Sequence, residues 1–267
     1  MIKLGGIILL KEDFNMKDNK YILRDEERLE PLGKGIYVIV SNEHTFNTDT
    51  VLLANFSYPK KNEKVIEFGS GCGAIPLIWA VKGTAFNVVG VEIQKPACNM
   101  FERSISYNNL DHCITSINSD LKELEGKLEA EGYNLIVCNP PYKPIANGIL
   151  NENSDKCIAR HEQQCNILDI TKAASKLLKF GGRLCMCNRI ERLIDAICAM
   201  KKSNIEPKKI RFVQQRTSKP PKLFLIEGKK GGKSGLLAIP TLLIEDEVGE
   251  YSKEMKIIYK EYGENKR

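Results

Sequence analysis

Four residues, Asn139-Pro140-Pro141-Tyr142, close an apolar run that starts at Tyr133 behind a turn-forming Gly132. The run reads as a short buried strand. Two consecutive prolines donate no backbone hydrogen bond and hold φ near about −65°, so the chain leaves the strand in a stiff, pre-set conformation. The side-chain carbonyl of Asn139 and the main-chain carbonyl of Pro140 can accept both hydrogens of one exocyclic or amide NH2 group, and Tyr142 can stack on a flat ring. A planar amine is a poor nucleophile because its lone pair is delocalised. Two acceptors placed to favour a pyramidal nitrogen stabilise the transition state more than the ground state. A plain Asn-Pro turn after a strand accounts for the same residues, so both readings stand at this level.

A second chemical group is Gly69-Ser70-Gly71-Cys72-Gly73, preceded by the apolar strand Lys64 to Gly69 and opening directly into a helix over Ala74 to Val81. A strand that turns through closely spaced glycines into a helix lets backbone N–H groups approach a ligand without an intervening Cβ. The spacing G-x-G-x-G departs from the dinucleotide fingerprint G-x-G-x-x-G, and a glycine loop alone is weak. Its setting is stronger. Glu67 lies two residues before the loop, and Glu92 ends the next strand, Asn87 to Glu92, about where an acid binds ribose hydroxyls. A glutamate inside an apolar strand calls for a chemical reason.

These residues need elements to hold them. A strand over Ile36 to Val40 is followed by an amphipathic helix from Val51 to Phe56, with Thr48 or Asp49 as its cap; Asp49 could also meet a ligand's charged end. After Glu92 come a helix opened by Lys95-Pro96, a strand Ile114 to Asp120, a charged helix Leu121 to Glu131, and the strand ending at Asn139. The alternation predicts an α/β fold, a doubly wound, Rossmann-like and mostly parallel sheet. Ligands bind such sheets at the carboxyl ends of the strands, where Gly69, Glu92, Asp120 and Asn139 all fall. Further on, the pattern predicts a long helix over Ser154 to Phe180 stopped by Gly181-Gly182, and a strand Arg183 to Ile190. A helix Glu191 to Lys202 and an antiparallel pair, Lys208 to Gln215 with Leu223 to Gly228, follow. Residues 1–35 are polar, with a short helix or turn over Asp25 to Leu29. The last residues suggest a docked helix around Met255, Ile257, Ile258 and Tyr259.

Composition sets outer bounds. The 267 residues, 42% hydrophobic, suffice for a full core. The longest early apolar run, Ile7 to Leu10, is far too short to span a bilayer, so no membrane association and a cytoplasmic location are expected. Nine cysteines at 72, 98, 113, 138, 157, 165, 185, 187 and 198 include no C-x-x-C pair, and His44, His112 and His161 have no ligand-spaced partners. Buried small hydrophobes, no metal, and no strong histidine base are expected.

Charge is concentrated. Residues 207–233 hold nine Lys or Arg (Lys208, Lys209, Arg211, Arg216, Lys219, Lys222, Lys229, Lys230, Lys233) against one acid, Glu227, a net of +8 in a chain whose total is +6. Such a patch suits a phosphate backbone, although a solvated strand face has the same composition. The stretch Lys229 to Ser234 superficially matches a nucleotide-binding P-loop. Glu227 stands where the first required glycine belongs, and Pro240 interrupts the helix that must follow, so nucleotide hydrolysis is excluded.

Taken together, Glu67 to Gly73, Glu92, Asp120 and Asn139 to Tyr142 resemble the S-adenosylmethionine-dependent methyltransferases that modify amino nitrogens, over roughly residues 46–190. The resemblance implies a class I methyltransferase fold with an antiparallel last strand. It implies that Gly69, Gly71 and Gly73 pass under the methionine part of the cofactor, that Glu92 holds its ribose hydroxyls and that Asp120 bonds its adenine. Asp49, Glu67, Ser70, Ile93 and Asn139 complete the implied cofactor set, with S-adenosylhomocysteine as product. Asn139, Pro140, Pro141 and Tyr142 would hold the target amine, which in such enzymes belongs to adenine, cytosine or glutamine. The flanks narrow this. Glu27-Arg28-Leu29, Phe46 to Ala54, Pro207 to Val213, Lys230 to Lys233 and Gly249 to Tyr251 resemble the tRNA1(Val) (adenine-37-N6) methyltransferase family. The implied partner is tRNA, contacted by the nine cations, and a monomer is expected. Another RNA adenine, a protein glutamine, or a non-catalytic RNA-binding protein with this fold remain alternatives. The implied domains are an N-terminal extension (1–45), a methyltransferase domain (46–233) with its basic strand pair (207–233), and a tail with a docked helix (234–267).

Overall fold

Two strands set the architecture: β3 (Lys64–Phe68) and β6 (Tyr133–Cys138) lie side by side and parallel at the centre of the sheet, with Phe68 opposite Cys138. From β3 the chain builds outward in one direction, through β4 (Asn87–Glu92) to β5 (Ile114–Asn118), and then returns to β6 on the other side of β3. The helices after β3 and β6 therefore leave toward opposite faces, and a crevice opens between the carboxyl ends of these two strands. The computed structural model describes residues 23–83, 87–140 and 166–261.

β7 (Leu178–Arg189) continues the sheet parallel to β6. β9 (Leu223–Lys230) pairs antiparallel between β7 and β8 (Ile205–Gln214). Two-residue strands β10 (Leu237–Ala238) and β11 (Leu242–Leu243) both add parallel to β8. β1 (Arg28–Gly33) and β2 (Ile36–Val40) form a separate antiparallel hairpin.

Both faces of the sheet are covered, which is why the central strands read as unbroken apolar runs. Along β6, Leu135 and Val137 face one core with α1 (Thr48–Phe56), α2 (Ala74–Val81) and α3 (Lys95–Tyr107). Ile136 and Cys138 face the other with α4 (Ile167–Leu177) and α5 (Leu193–Lys202). The terminal helix α6 (Lys253–Glu261) buries Met255 and Ile258 against the first core, and Tyr259 meets the Thr48 hydroxyl of α1 at 3.2 Å. The hairpin is clamped to α3 by a two-pronged ion pair, Arg103 to Glu27 at 2.6 and 2.7 Å, whose side chains are over nine-tenths buried.

Several local expectations change. Asp25-Glu26 is a turn, with Glu26 at φ 67°, but the helix alternative fails because β1 already starts at Arg28. The helix predicted over Leu121 to Glu131 is only a 3-10 turn, Leu121–Glu123, followed by a loop with an isolated bridge between Glu125 and Leu128; Leu124 is buried in the second core, and the chain turns at Gly126, whose φ is 77°. In the described part of the 154–180 segment the helix ends at Leu177, because Leu178 is drawn into register beside Tyr133; Gly181 and Gly182 lie inside β7 rather than stopping a helix. Gly231 to Ser234 lead to the short strand β10 and not to a helix, as the rejection of a P-loop requires.

Candidate active site

The glycine loop hangs from the end of β3. Gly69 and Ser70 donate to the Val91 carbonyl at 2.8 and 3.1 Å, which pins the loop to β4. Gly69, Gly71 and Gly73 take φ of 67°, 54° and 84°, and Gly73 caps α2. A Cβ on Gly73 would lie 1.8 Å from the Phe101 ring, whereas one on Gly69 or Gly71 would meet nothing within 4 Å. Packing therefore demands the third glycine, and the first two leave open room above the loop.

That room belongs to a cleft of about 680 Å3, within the range of roughly 300–1,000 Å3 typical of ligand pockets. Of the residues read from sequence, Gly69, Gly71, Glu92, Ile93, Asn139 and Pro140 line it. Pro141 and Tyr142 lie outside the described residues. Glu67, Ser70 and Gly73 sit beneath the loop and not on the cleft wall. Asp120 caps the 3-10 turn, accepting from Lys122 N–H at 2.9 Å, and its neighbour Leu121 lines the cleft. Asn47, and not Thr48 or Asp49, is the cap of α1; Asp49 occupies the first helical turn and is not among the described residues that line the cleft.

The electrostatics are those of a dry floor. Glu92 is buried, with Oε2 accepting from Gly71 N–H and Oε1 from Gln94 N–H, both at 2.8 Å, so its carboxylate is held rigidly at the lip of the glycine loop. Glu67 is buried on the sheet side of the loop. Its Oε2, like the Ser70 hydroxyl, finds no hydrogen-bond partner among the described residues. Burial, then the charge of Glu92, pushes the Glu67 carboxyl well above the usual carboxylate range. Burial, followed by the charge of Glu67, pushes the Cys72 thiol up to about 12, so this cysteine is a small core hydrophobe and not a nucleophile.

Sequence reasoning missed three contributors. Asn139 Nδ2 donates to Thr50 Oγ1 on α1 at 3.3 Å, a contact across 89 positions. Asn188, at the end of β7, is buried and lines the cleft. Its signal was available, since it is a polar residue ending an apolar strand, as Glu92 and Asn139 are. Arg192, in the turn that follows, lines the cleft as well and pairs with Asp195 at 3.1 Å.

The nine cations do not form one patch. β9 runs antiparallel to β7, with Leu223 opposite Arg189 and Lys229 opposite Arg183. Lys219 and Lys222 therefore stand at the cleft end of the sheet, near Arg189 and Arg192, while Lys229, Lys230 and Lys233 stand at the far end. Seven steps of about 3.3 Å along the eight residues of β9 separate the ends by roughly 23 Å. Four of the nine are already compensated. Lys209 pairs with Glu227 at 3.0 Å, Arg211 with Glu254 at 2.7 Å and Arg216 with Glu245. Lys230 is buried, holding Glu131 and the Leu178 carbonyl at 2.7 and 2.8 Å; it is a structural cation and not part of an exposed surface. Among the described residues no group of His, Cys, Asp and Glu is arranged to hold a metal ion, and no helix is long and apolar enough to cross a membrane.

The crevice lies at the switch point of a doubly wound sheet, with a glycine loop on one side and Asn139-Pro140 on the other, and residues 38–202, which build it, match a known family model, the methyltransferase small domain. The chain belongs to the methyltransferase small domain family. It is 26% identical over 222 residues to the tRNA1(Val) (adenine(37)-N6)-methyltransferase of Parabacteroides distasonis, covering 80% of this chain and 89% of that protein. It is 24% identical to the enzyme of the same name from Dickeya chrysanthemi, covering 80% and 86%. Among solved structures, a predicted O-methyltransferase from Agrobacterium tumefaciens superposes with a TM-score of 0.66 at 16% identity, covering 80% of this chain and 97% of that one. Geranyl diphosphate C-methyltransferase from Streptomyces coelicolor, solved with S-adenosyl-L-homocysteine, gives 0.51 at 11% identity, covering 78% and 88%. These likenesses show the class I methyltransferase fold, and with the family they make this methyltransferase small domain protein an S-adenosylmethionine-dependent enzyme. The cleft fits that cofactor: the room over Gly69 and Gly71 and the rigid carboxylate of Glu92 both border it and suit a polar ligand.

Proposed function

We propose that this protein methylates the N6 amine of an adenine in tRNA, with adenine 37 in the anticodon loop of a valine tRNA as the target. The observation that carries this reading is that Asn139 and Pro140 line the same cleft as the glycine loop and Glu92. The names of the relatives support the choice of adenine and tRNA. Bound S-adenosylmethionine supplies a methyl group carried on a positively charged sulfur. Gly69 and Gly71 pass beneath it, Glu92 holds the ribose hydroxyls, and Ile93, exposed at the cleft edge, gives its adenine an apolar surface.

On the opposite wall, Asn139 Oδ1 and the Pro140 carbonyl accept the two N6 hydrogens and draw the amine toward a pyramidal nitrogen. The acceptors are carbonyl oxygens, too weakly basic to keep a proton, so the proton released by the amine passes to water. Asn188 and Arg192 line the same cleft, and the cations at that end of the sheet, Lys219, Lys222 and Arg189, draw the loop phosphates. An adenine of a loop can leave its stack for about a few kcal/mol, which a helical base cannot do as cheaply.

The test is incubation with bulk tRNA and methyl-labelled cofactor, followed by nucleoside analysis and mapping of the labelled tRNA. Label is expected in N6-methyladenosine of a valine tRNA. Label in N4-methylcytidine, or only in protein glutamine, overturns the substrate; label in N6-methyladenosine of another RNA overturns the target while keeping the chemistry.

A further inference from the structure

The amide of Asn139 can do its work only with its oxygen toward the target amine, and a carboxamide is nearly symmetric in shape. Something must choose the orientation. Three bonds at the start of α1 make that choice. The Thr50 backbone N–H donates to the Asn47 side chain at 3.2 Å; an N–H can only donate, so the atom it meets is the amide oxygen, Oδ1. The Thr50 hydroxyl lies 3.3 Å from the same oxygen and must therefore point its single hydrogen there. Toward Asn139, 3.3 Å away, that hydroxyl has only lone pairs to offer, so the group facing it is Nδ2 and the oxygen is turned to the other side.

We infer that Thr50 is a positioning residue: the relay Asn47–Thr50–Asn139 fixes the orientation of the catalytic amide and presents its oxygen to the amine. The inference rests on the role given to Asn139 above. The relay is anchored from outside the cleft as well, because the neighbouring Thr48 is held by Tyr259 of the terminal helix, whose Met255 and Ile258 are buried in the core. A docked C-terminus thus reaches the methyl-acceptor wall through one helical turn of α1.

Thr50→Val keeps the shape and removes the hydroxyl; Thr50→Ser keeps the hydroxyl and removes a methyl. Losing one neutral hydrogen bond that selects an orientation should lower kcat about tenfold in Thr50→Val, with KM for tRNA and affinity for S-adenosylhomocysteine within about twofold of the parent, and Thr50→Ser should recover most of the rate. If Thr50→Val melts below the assay temperature, Asn47→Gly removes the Oδ1 acceptor while costing the helix cap only about a few tenths of a kcal/mol, and it should lower kcat in the same way. Asn139→Ala is assayed beside them. If Asn139→Ala is inactive and Thr50→Val turns over like the parent, the relay is wrong. An equal loss in Thr50→Val and Thr50→Ser shows a packing effect and also overturns it. Full activity in Asn139→Ala removes the reading on which the inference stands, and that result is distinct from the other two.

Discussion

Alanine placed in turn at Gly69, Gly71 and Gly73 separates backbone geometry, packing and ligand space in one loop. All three glycines have positive φ, which costs an L-residue about 1–2 kcal/mol. At Gly73 the new methyl would also sit 1.8 Å from Phe101, a fully buried ring, and overpacking of that kind adds about 1–3 kcal/mol. Gly73→Ala should therefore lose about 2–5 kcal/mol, a large share of the roughly 5–15 kcal/mol that holds a typical domain together. Gly69→Ala and Gly71→Ala should lose only the backbone part, because their methyl groups enter open space. That space is where the cofactor is proposed to lie, so these two should bind S-adenosylhomocysteine at least about tenfold more weakly, a change of about 1.4 kcal/mol. Urea denaturation of the ligand-free protein and calorimetric titration with S-adenosylhomocysteine read the two effects separately. Phe101→Leu in the Gly73→Ala background should restore part of the stability. Parent-like affinity in both Gly69→Ala and Gly71→Ala would refute the cradle, and parent-like stability in Gly73→Ala would refute the packing argument.

Glu67→Gln should stabilise the ligand-free protein increasingly as pH rises. The folded-state carboxyl titrates well above its unfolded value near 4.5, so parent stability is lost as pH climbs from that value toward the folded one, at up to about 1.4 kcal/mol per pH unit; urea midpoints at pH 5, 6 and 7 check it. Glu27→Ala removes the carboxylate that holds the buried Arg103 guanidinium at two points and should cost about 3–5 kcal/mol. Burial alone would raise the Glu27 carboxyl, but the Arg103 hydrogen bond and charge, with help from Arg24, hold it below 4.5. The clamp should therefore be at full strength above that value and weaken as acid takes the pH through the folded pKa, visible as a shrinking gap between parent and variant midpoints. Charge reversal at Lys219 and Lys222 should weaken tRNA binding and reduce the slope of log K against log salt by about 0.7–0.9 per lost phosphate contact. The same reversal at Lys229 and Lys233, roughly 23 Å away along β9, should leave methylation of a short anticodon-loop RNA nearly unchanged. Equal losses from both pairs would contradict the division of the basic surface.

Much of this site is legible in the chain because its parts are local. A strand that breaks at closely spaced glycines and resumes as a helix, an acid ending the next strand, and a Pro-Pro exit after Asn139 each depend on a few consecutive residues, and the α/β alternation places their strand ends on one side. Local signals were also enough to expect α2 over Ala74 to Val81 and β4 over Asn87 to Glu92. They failed where a glycine with positive φ, Gly126, interrupts a helical pattern, at Leu121 to Glu131, and where two neighbouring residues could equally serve as a cap, since Asn47, one position earlier, took that place. Tertiary structure alone decided the rest. Composition could count nine cations, but only the antiparallel register of β7 and β9 sends them to opposite ends of the sheet, and only folding brings Glu131, Glu245 and Glu254 against Lys230, Arg216 and Arg211. Likewise no spacing rule joins Thr50 to Asn139 across 89 positions. The hydroxyl of one meets the amide of the other because α1 packs on the sheet face that carries Leu135 and Val137 of β6, the strand that runs into Asn139.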